Sequence, residues 1–578
     1  MKSKRVQPQD GAGTKLKLRP LVIAPCIVAV TFILRISCGP AWADDPAVIG
    51  ALAAVPPRAT PCAGLASLSL PYTTISMATL VPAGPFTPPD STTVHTVPEF
   101  CRVAGDISPT SDSDIKFEVW MPTGSSWNGR FLTVYNGGFS GAIPYASAAG
   151  TSRIPGLVDG VILGYATAGT DTGHEGTAAK WGSVLLDASW APGHPEKVID
   201  FGYRGVHLTA VMAEAITRAF YGTDFFSYFD GCSGGGRAAL MSAQRYPGDF
   251  DGIVAGDPTI DFTHLIAGGR FWEIIATEKN PASYIPDSKV SLLYNAVNSA
   301  CDAVDDVVSD PRDCHFDPAT IQCPKGVDND TCLTGPQVTA LREIYAGPGN
   351  LNGKPIYFGY LPGGELDPGG WGSNVTGLAP GATCSPLSTT TTCPGQWDYA
   401  ISFLQDMVYE NDSWNWLTWS YQTGMPYADN KLEAGERLAD IVNGENANVK
   451  PFKQSGGKLI HYHGFSDIGV SPLASIDYFE RAGDLSSTQE FYRLYMVPGM
   501  HHCVGGPGAD TFDPLTAVVQ WREQGIAPEQ MPSSHIGSAA FPLSFTRPLC
   551  PYPQEVEFTG GDPTLASNFV CRSPRWGH

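Results

Sequence analysis

Basic charge is scarce in this chain. Its 578 residues hold 36 lysines and arginines against 57 aspartates and glutamates, a formal net charge of −21, and only 16% of residues are charged. So acidic a surface repels phosphate backbones and anionic headgroups, which argues against nucleic acid or membranes as partners. Short Cys-x-x-Cys knuckles are missing despite 14 cysteines, which removes the common zinc frameworks. No internal repeat is present, and the only biased tract is a short Ser/Thr run at 388–392, so repeat architectures are excluded. The apolar run from Leu21 to Leu34 is 14 residues long. A membrane span needs about 20.

That run is instead read as the core of a secretory signal. Lys2, Lys4, Arg5, Lys15, Lys17 and Arg19 precede it, and Ala41-Trp42-Ala43 supplies a small-x-small cleavage site. An uncleaved anchor is the alternative; Arg35, Ile36 and Ser37 before Cys38 make a poor lipoprotein box. Residues 1–43 hold seven basic residues and one acidic one, so 29 basic remain against 56 acidic, a net charge of −27. The expected location is secreted or periplasmic.

Twelve cysteines lie beyond the signal, and an even number in an exported chain is expected to pair. Sequence does not fix the connectivity. Short spacings favour Cys301–Cys314, Cys323–Cys332, Cys384–Cys393 and Cys550–Cys571, with Cys62–Cys101 at the amino end, which leaves Cys232 and Cys503.

From Ile115 the pattern alternates between strands and helices. "IKFEVWMP", "RFLTVYNGG", "GVILGYATAGTDTG", "FFSYFDGCS" and "FDGIVAGDP" read as strands. "VIDFGYRGVHLTAVMAEAITRAFYG" and "GGRAALMSAQRYP" read as helices, so a mostly parallel sheet is expected. About 200 residues then interrupt the alternation, which resumes at "GGKLIHYHGFSD" and "EFYRLYMVPGMHHC". One βα connection needs far fewer.

Gly231-Cys232-Ser233-Gly234-Gly235 is a G-x-S-x-G pattern between a strand and a helix, the setting in which a serine is exposed on a strained turn. Ser233 is the candidate nucleophile. Asp467 follows the strand "KLIHYH" and is the candidate acid. His502 is the candidate base, preferred over His501 because it adjoins Cys503, and a Cys232–Cys503 bridge would draw it to Ser233. The order Ser, Asp, His is that of α/β-hydrolases. His207, His461 and His463 read as structural or pocket-lining. For an oxyanion hole, the N–H groups of Gly234 and of Gly138 (or Gly137) in "TVYNGGFSG" are the candidates. The expected architecture is an α/β-hydrolase fold with a large lid. Residues 44–260 carry the nucleophile, 261–445 form the inserted lid, and 446–578 carry the acid and histidine.

"YFDGCSGGGRAALMSAQRYPGDFDGIVAGDP", "YHGFSD" and "VPGMHHCVGG" closely resemble the tannase/feruloyl esterase family, which includes the mono(hydroxyethyl) terephthalate hydrolases. The likeness extends over nearly all of the chain beyond the signal. It implies a serine-esterase triad at Ser233, Asp467 and His502, a disulfide between Cys232 and Cys503, small esters of aromatic acids as substrates, and no organic cofactor. It also implies a structural calcium in the lid. Here "CDAVDDVVSDPRDC" keeps Asp302 and Asp305, with Asp306 beside them, but is about four residues shorter than the usual loop and lacks its Asp-Gly repeats. A solvated acidic loop is the other reading.

Between Trp397 and Tyr421 stand Trp397, Tyr399, Phe403, Tyr409, Trp414, Trp416, Trp419 and Tyr421. This density reads as lid core, with some rings free to stack on an aromatic acyl group. The expected activity is hydrolysis of feruloyl, galloyl or related esters through an acyl-enzyme. A lipase or peptidase of the same fold, or a silent binding protein, is the rival.

Overall fold

The computed structural model describes residues 59–89, 91–147, 155–301, 305–351, 354–377 and 394–573. The signal reading and the Cys384–Cys393 pair lie outside the described residues.

Nine strands form one sheet: β1 (Thr73–Val81), β2 (Phe100–Ile107), β3 (Ile115–Pro122), β4 (Arg130–Val134), β5 (Ala166–Thr170), β6 (Phe226–Cys232), β7 (Gly252–Gly256), β8 (Lys458–Gly464) and β9 (Tyr492–Val497). Their order is β1-β2-β3-β5-β4-β6-β7-β8-β9. The first three strands and the β3–β5 pairing are antiparallel, and every pairing from β5 through β4 to β9 is parallel. The parallel strands are buried on both faces, β5, β7 and β9 along their whole length. Their sequences are accordingly short apolar runs instead of alternating ones.

Helices cover the sheet. The first, α1 (Gly205–Tyr221), continues a shorter helical piece through a π-turn over Asp200–Arg204 and stops at Gly222 in the left-handed region. The second, α2 (Gly234–Arg245), leaves the end of β6. One strand reading is corrected. Residues 160–162 belong to a helix, Leu157–Ile162, and the strand begins only at Ala166. The Asp159 carboxylate accepts the Gly156 N–H at 2.8 Å, which starts the helix, and Leu157, Val158 and Val161 bury one face. Ile162 and Leu163 are half exposed, so the apolar run that looked like a strand is a helix end.

The stretch between β7 and β8 is mainly helical: α3 (Phe271–Glu278), α4 (Val290–Ala300), α5 (Gly335–Ala346), α6 (Gly395–Ser402) and α7 (Tyr421–Asn430). Its aromatic segment packs largely on itself. Trp397 and Phe403 are buried, Trp414, Trp416 and Trp419 surround Phe271, and Tyr409 stacks on Trp414. The stretch between β7 and β8 also reaches the loop that follows β8. Gln396 Nε2 donates to Ile468 O at 2.8 Å, and Arg270 Nε donates to Gly469 O at 3.0 Å. After β8, α8 (Pro472–Arg481) and α9 (Pro514–Gln524) complete the cover.

Five disulfides join described cysteines: Cys62–Cys101, Cys232–Cys503, Cys301–Cys314, Cys323–Cys332 and Cys550–Cys571. Four are local staples. Cys232–Cys503 spans 271 residues.

The first turn of α2 lies so close to β7 that a Cβ on Gly236 would stand 2.2 Å from the Gly256 carbonyl oxygen. Backbone cannot yield there as a side chain would. Gly236→Ala is therefore expected to cost about 2–4 kcal/mol. A thermal melt checks this, and a midpoint equal to that of the parent would show that the two elements are free to separate.

Candidate active site

Ser233 occupies the tight corner between β6 and α2. Its φ of +63° and ψ of −120° are strained for a residue with a side chain, at about 1–3 kcal/mol. The corner is held from below, because the Ser233 N–H donates to Gly256 O at 2.9 Å. Three flanking glycines let backbone approach: a Cβ on Gly231 would stand 2.8 Å from the Gly235 carbonyl carbon.

Asp467 lies in the loop after β8, fully buried. His502 lies in the loop after β9, directly before Cys503, whose φ is +65°. His502 Nδ1 is 2.6 Å from Asp467 Oδ2, and its Nε2 is 2.8 Å from Ser233 Oγ. A carboxylate can only accept, so the ring proton sits on Nδ1 and the serine hydroxyl donates to bare Nε2. The three expected residues thus form one continuous line. Beside it the Cys232–Cys503 bridge holds the two Cα atoms 6.1 Å apart. His501 is not in this line; it is buried, with Nδ1 3.1 Å from Pro368 O and its ring edge-on to Phe541.

The carboxylate of Asp467 is fully used. Oδ1 accepts the N–H groups of Gly469 at 2.7 Å and Val470 at 2.9 Å, and Oδ2 accepts from His502. Burial works against its charge, yet the imidazoles of His502 and His463 outweigh burial and hold the group far below the ordinary carboxylate range. A group so held is ionised at neutral pH.

The turn of Gly137 and Gly138 lies against the serine corner. A Cβ on Gly137 would be 3.8 Å from Ser233 Oγ, and one on Gly234 would be 2.9 Å from Gly138 O. Gly138 has φ +56°, and a Cβ there would be 2.1 Å from Leu185 O. Glycine is required at that position on both counts. Gly234 is the first residue of α2, whose leading N–H groups have no acceptor within the helix.

Two residues near the site carried no catalytic expectation from sequence: His463, read as structural or pocket-lining, and Asp257. His463 Nε2 stands 3.2 Å from Asp467 Oδ2, and Asp257 stands at the end of β7 with Oδ1 3.7 Å from the same nitrogen. Burial, with the Asp467 charge, pushes the Asp257 carboxyl up to about 7 although His463 opposes the shift. The signal for His463 was its position four residues before Asp467, with His461 two residues earlier on the same strand face.

A sequence model of tannase and feruloyl esterase matches residues 101–572. The chain belongs to the tannase and feruloyl esterase family. As a member it is a carboxylic ester hydrolase. It is 39% identical over 573 residues to an uncharacterized esterase of Xanthomonas campestris, covering 92% of this chain and 94% of that one. It is 31% identical over 495 residues to a probable feruloyl esterase B-1 of Aspergillus fumigatus, covering 81% and 85%. The crystal structure of feruloyl esterase B from Aspergillus oryzae superposes with a TM-score of 0.74 at 26% identity, covering 88% of this chain and 98% of that chain.

The calcium that the family likeness implied meets a poor donor set. Asp302 lies outside the described residues. The Asp305 carboxylate pairs with the Arg547 guanidinium, both side chains being 2% exposed, and the same guanidinium covers the rings of Phe545 and Phe569. Asp306 offers its carbonyl to the Tyr294 hydroxyl at 3.0 Å. Positive charge is already supplied by arginine, and a Ca²⁺ ion prefers six to eight oxygens. Asp305 and Asp306 as placed do not fit the ion.

Alanine at both Cys232 and Cys503 leaves Ser233, Asp467 and His502 in the chain but frees their carriers. Activity on a simple ester is expected to fall by about tenfold or more, because small displacements of reacting groups are costly. A fully active double variant would reduce the bridge to structural support.

Proposed function

We propose that this protein hydrolyses esters of aromatic carboxylic acids, such as hydroxycinnamates or gallates, by acyl transfer through Ser233. The observation that carries this reading is the unbroken line from Ser233 Oγ through His502 to Asp467, beside the Cys232–Cys503 bridge. Ser233 Oγ attacks the ester carbonyl carbon while its proton passes to His502 Nε2. Asp467 keeps the ring oriented and offsets the imidazolium charge. The N–H groups of Gly138 and Gly234 receive the oxyanion. Collapse of the tetrahedral adduct expels the alcohol, which takes the proton from Nε2. Water then attacks the acyl-enzyme with His502 as base, and the free acid leaves.

The aromatic half of the substrate is assigned to the stretch 261–445, acting as a lid. Its Tyr399 lies 5.8 Å from Phe139, the neighbour of Gly138, and lies 4.2 Å from the Arg270 guanidinium. The names of the relatives, feruloyl esterase B among them, support the same substrate class. Export under the signal at 1–43 agrees with the disulfide-rich described chain, in which no helix is long and apolar enough to cross a membrane. The chemistry requires no organic cofactor and no metal step.

The test uses residues 44–578 with methyl ferulate, methyl gallate, p-nitrophenyl acetate and p-nitrophenyl palmitate. Turnover of the aromatic esters is expected, and a preference for the palmitate would favour a lipase. Ser233→Ala is expected to lose at least about a thousandfold in kcat, and Asp467→Asn about a thousand- to ten-thousandfold. Unchanged turnover in Ser233→Ala would overturn the mechanism.

A further inference from the structure

Asp467 carries a second imidazole on the oxygen that faces His502. His463, fully buried on β8, has Nε2 3.2 Å from Asp467 Oδ2 and 3.1 Å from Val470 O. Both partners are acceptors, so Nε2 bears the hydrogen. Behind the ring, Nδ1 is 2.6 Å from Ser475 Oγ on α8. The same hydroxyl is 2.8 Å from His461 Nε2, and His461 Nδ1 is 2.8 Å from the Tyr492 hydroxyl on β9.

Counting hydrogens gives this row a direction. With His463 neutral, Nδ1 is bare and accepts from Ser475, which accepts from His461 Nε2–H, whose bare Nδ1 accepts from Tyr492. Each member donates once, towards Asp467. If His463 takes a second proton, its Nδ1–H donates to Ser475 and the row behind it turns around. In both states Nε2–H stays on Asp467. Burial holds His461 well below its ordinary range and so keeps it neutral. Burial also acts against a charge on His463, but the carboxylates of Asp257 and Asp467 outweigh it and raise the ring.

The surroundings contain few other charges. From β7 comes Asp257, whose Oδ1 accepts the Gly464 N–H at 3.0 Å and whose Oδ2 lies 3.6 Å from Cys232 Sγ of the bridge. From the loop after β9 comes His502. The inserted stretch contributes Arg270, bonded to Gly469 O, and Glu273, which burial pushes well up towards its neutral form. From α8 and β9 only the uncharged Ser475 and Tyr492 face the pair.

We propose that His463 is a positioning residue for ester hydrolysis: its Nε2–H, backed by the Ser475–His461–Tyr492 row, keeps Asp467 turned towards His502 and shares its charge. The inference rests on the triad reading above. Asp467 then has four donors, namely His502, His463, Gly469 and Val470, and pulls less strongly on the His502 proton than a carboxylate with three. Without His463 the less-bonded carboxylate stabilises the imidazolium form of His502 more strongly, so the Nε2 proton is held more tightly. Neutral His502, the form that acts as base, is then reached only at higher pH.

The test measures kcat and KM for p-nitrophenyl acetate from about pH 4.5 to about pH 9 in the parent, His463→Leu, His463→Gln and Ser475→Ala. The pH dependence of Ser233 labelling by a fluorophosphonate is followed in parallel. His463→Leu is expected to lower kcat by about ten- to hundredfold, with KM within about twofold. Its acid limb should move up by about half a pH unit or more. His463→Gln, whose carboxamide N–H can replace Nε2–H, should retain the parent limb, and Ser475→Ala should move it part of the way. A folded His463→Leu protein with the parent limb overturns the proposal, as do equal shifts in the Leu and Gln variants. If His463→Leu does not fold, an unmoved limb in Ser475→Ala overturns it. Failure of the triad reading is separate: it shows as turnover or labelling that survives Ser233→Ala, whatever the His463 variants do.

Discussion

The bond between Cys232 and Cys503 ties together two points on the sheet's carboxyl edge that are 271 residues apart in the chain. Ser233 belongs to the corner after β6, and His502 to the loop after β9, three strands away in the sheet order. Strand pairing alone sets such a separation only loosely, since the loop after β9 has its own freedom. The bridge removes that freedom next to both proposed reacting groups. In the chain-entropy view, closing so long a loop contributes about 5 kcal/mol to stability. The strained corner at Ser233 and the left-handed Cys503 are both conformations that a chain holds only when its surroundings over-determine them.

Around this tie the charges are arranged economically. Among the described residues, the only acid bonded to His502 is Asp467, and its two oxygens are saturated by imidazole and backbone N–H groups. Asp257 sits close by with no arginine or lysine partner among the described residues, and burial moves it towards its neutral form near pH 7. Two bare carboxylates in so dry a space would repel each other strongly. His463 between them supplies the compensating proton. The inserted stretch meets the acid loop through two donors to backbone carbonyls, Gln396 Nε2 to Ile468 O and the Arg270 guanidinium to Gly469 O, and its described residues add no competing acid bond to His502.

Much of this arrangement was legible in the sequence because it rests on local patterns. The G-x-S-x-G corner is spelled out within five residues, and the runs that became β3, β6, β7, β8 and β9 have the composition of strands buried on both faces. Among the described cysteines the local spacings matched the bridges formed, and the remaining pair was the long one. What escaped depends on contacts across the fold. Residues 160–162 looked like strand because Val161, Ile162 and Leu163 are apolar in a row, whereas they end a helix, Leu157–Ile162, that is set by Asp159 capping Gly156. Asp305 looked free for a metal because Arg547, its partner, lies 242 residues further on. His463 looked like lining because its meaning depends on Ser475, which α8 brings in from the other side.

The separation of the reacting groups along the chain also orders events in time. Ser233 leaves the ribosome well before His502, and at about 5–20 residues per second the 271 residues between the bridged cysteines take about 15 to 50 seconds to make. Throughout that interval the proposed nucleophile exists with neither its proposed base nor its covalent tie, and the whole inserted stretch is being synthesised. The first complete copy of the site can therefore arise only in the last stage of biosynthesis, when the final strand joins the sheet and the cysteines meet. Nascent chains carry the serine but not the enzyme.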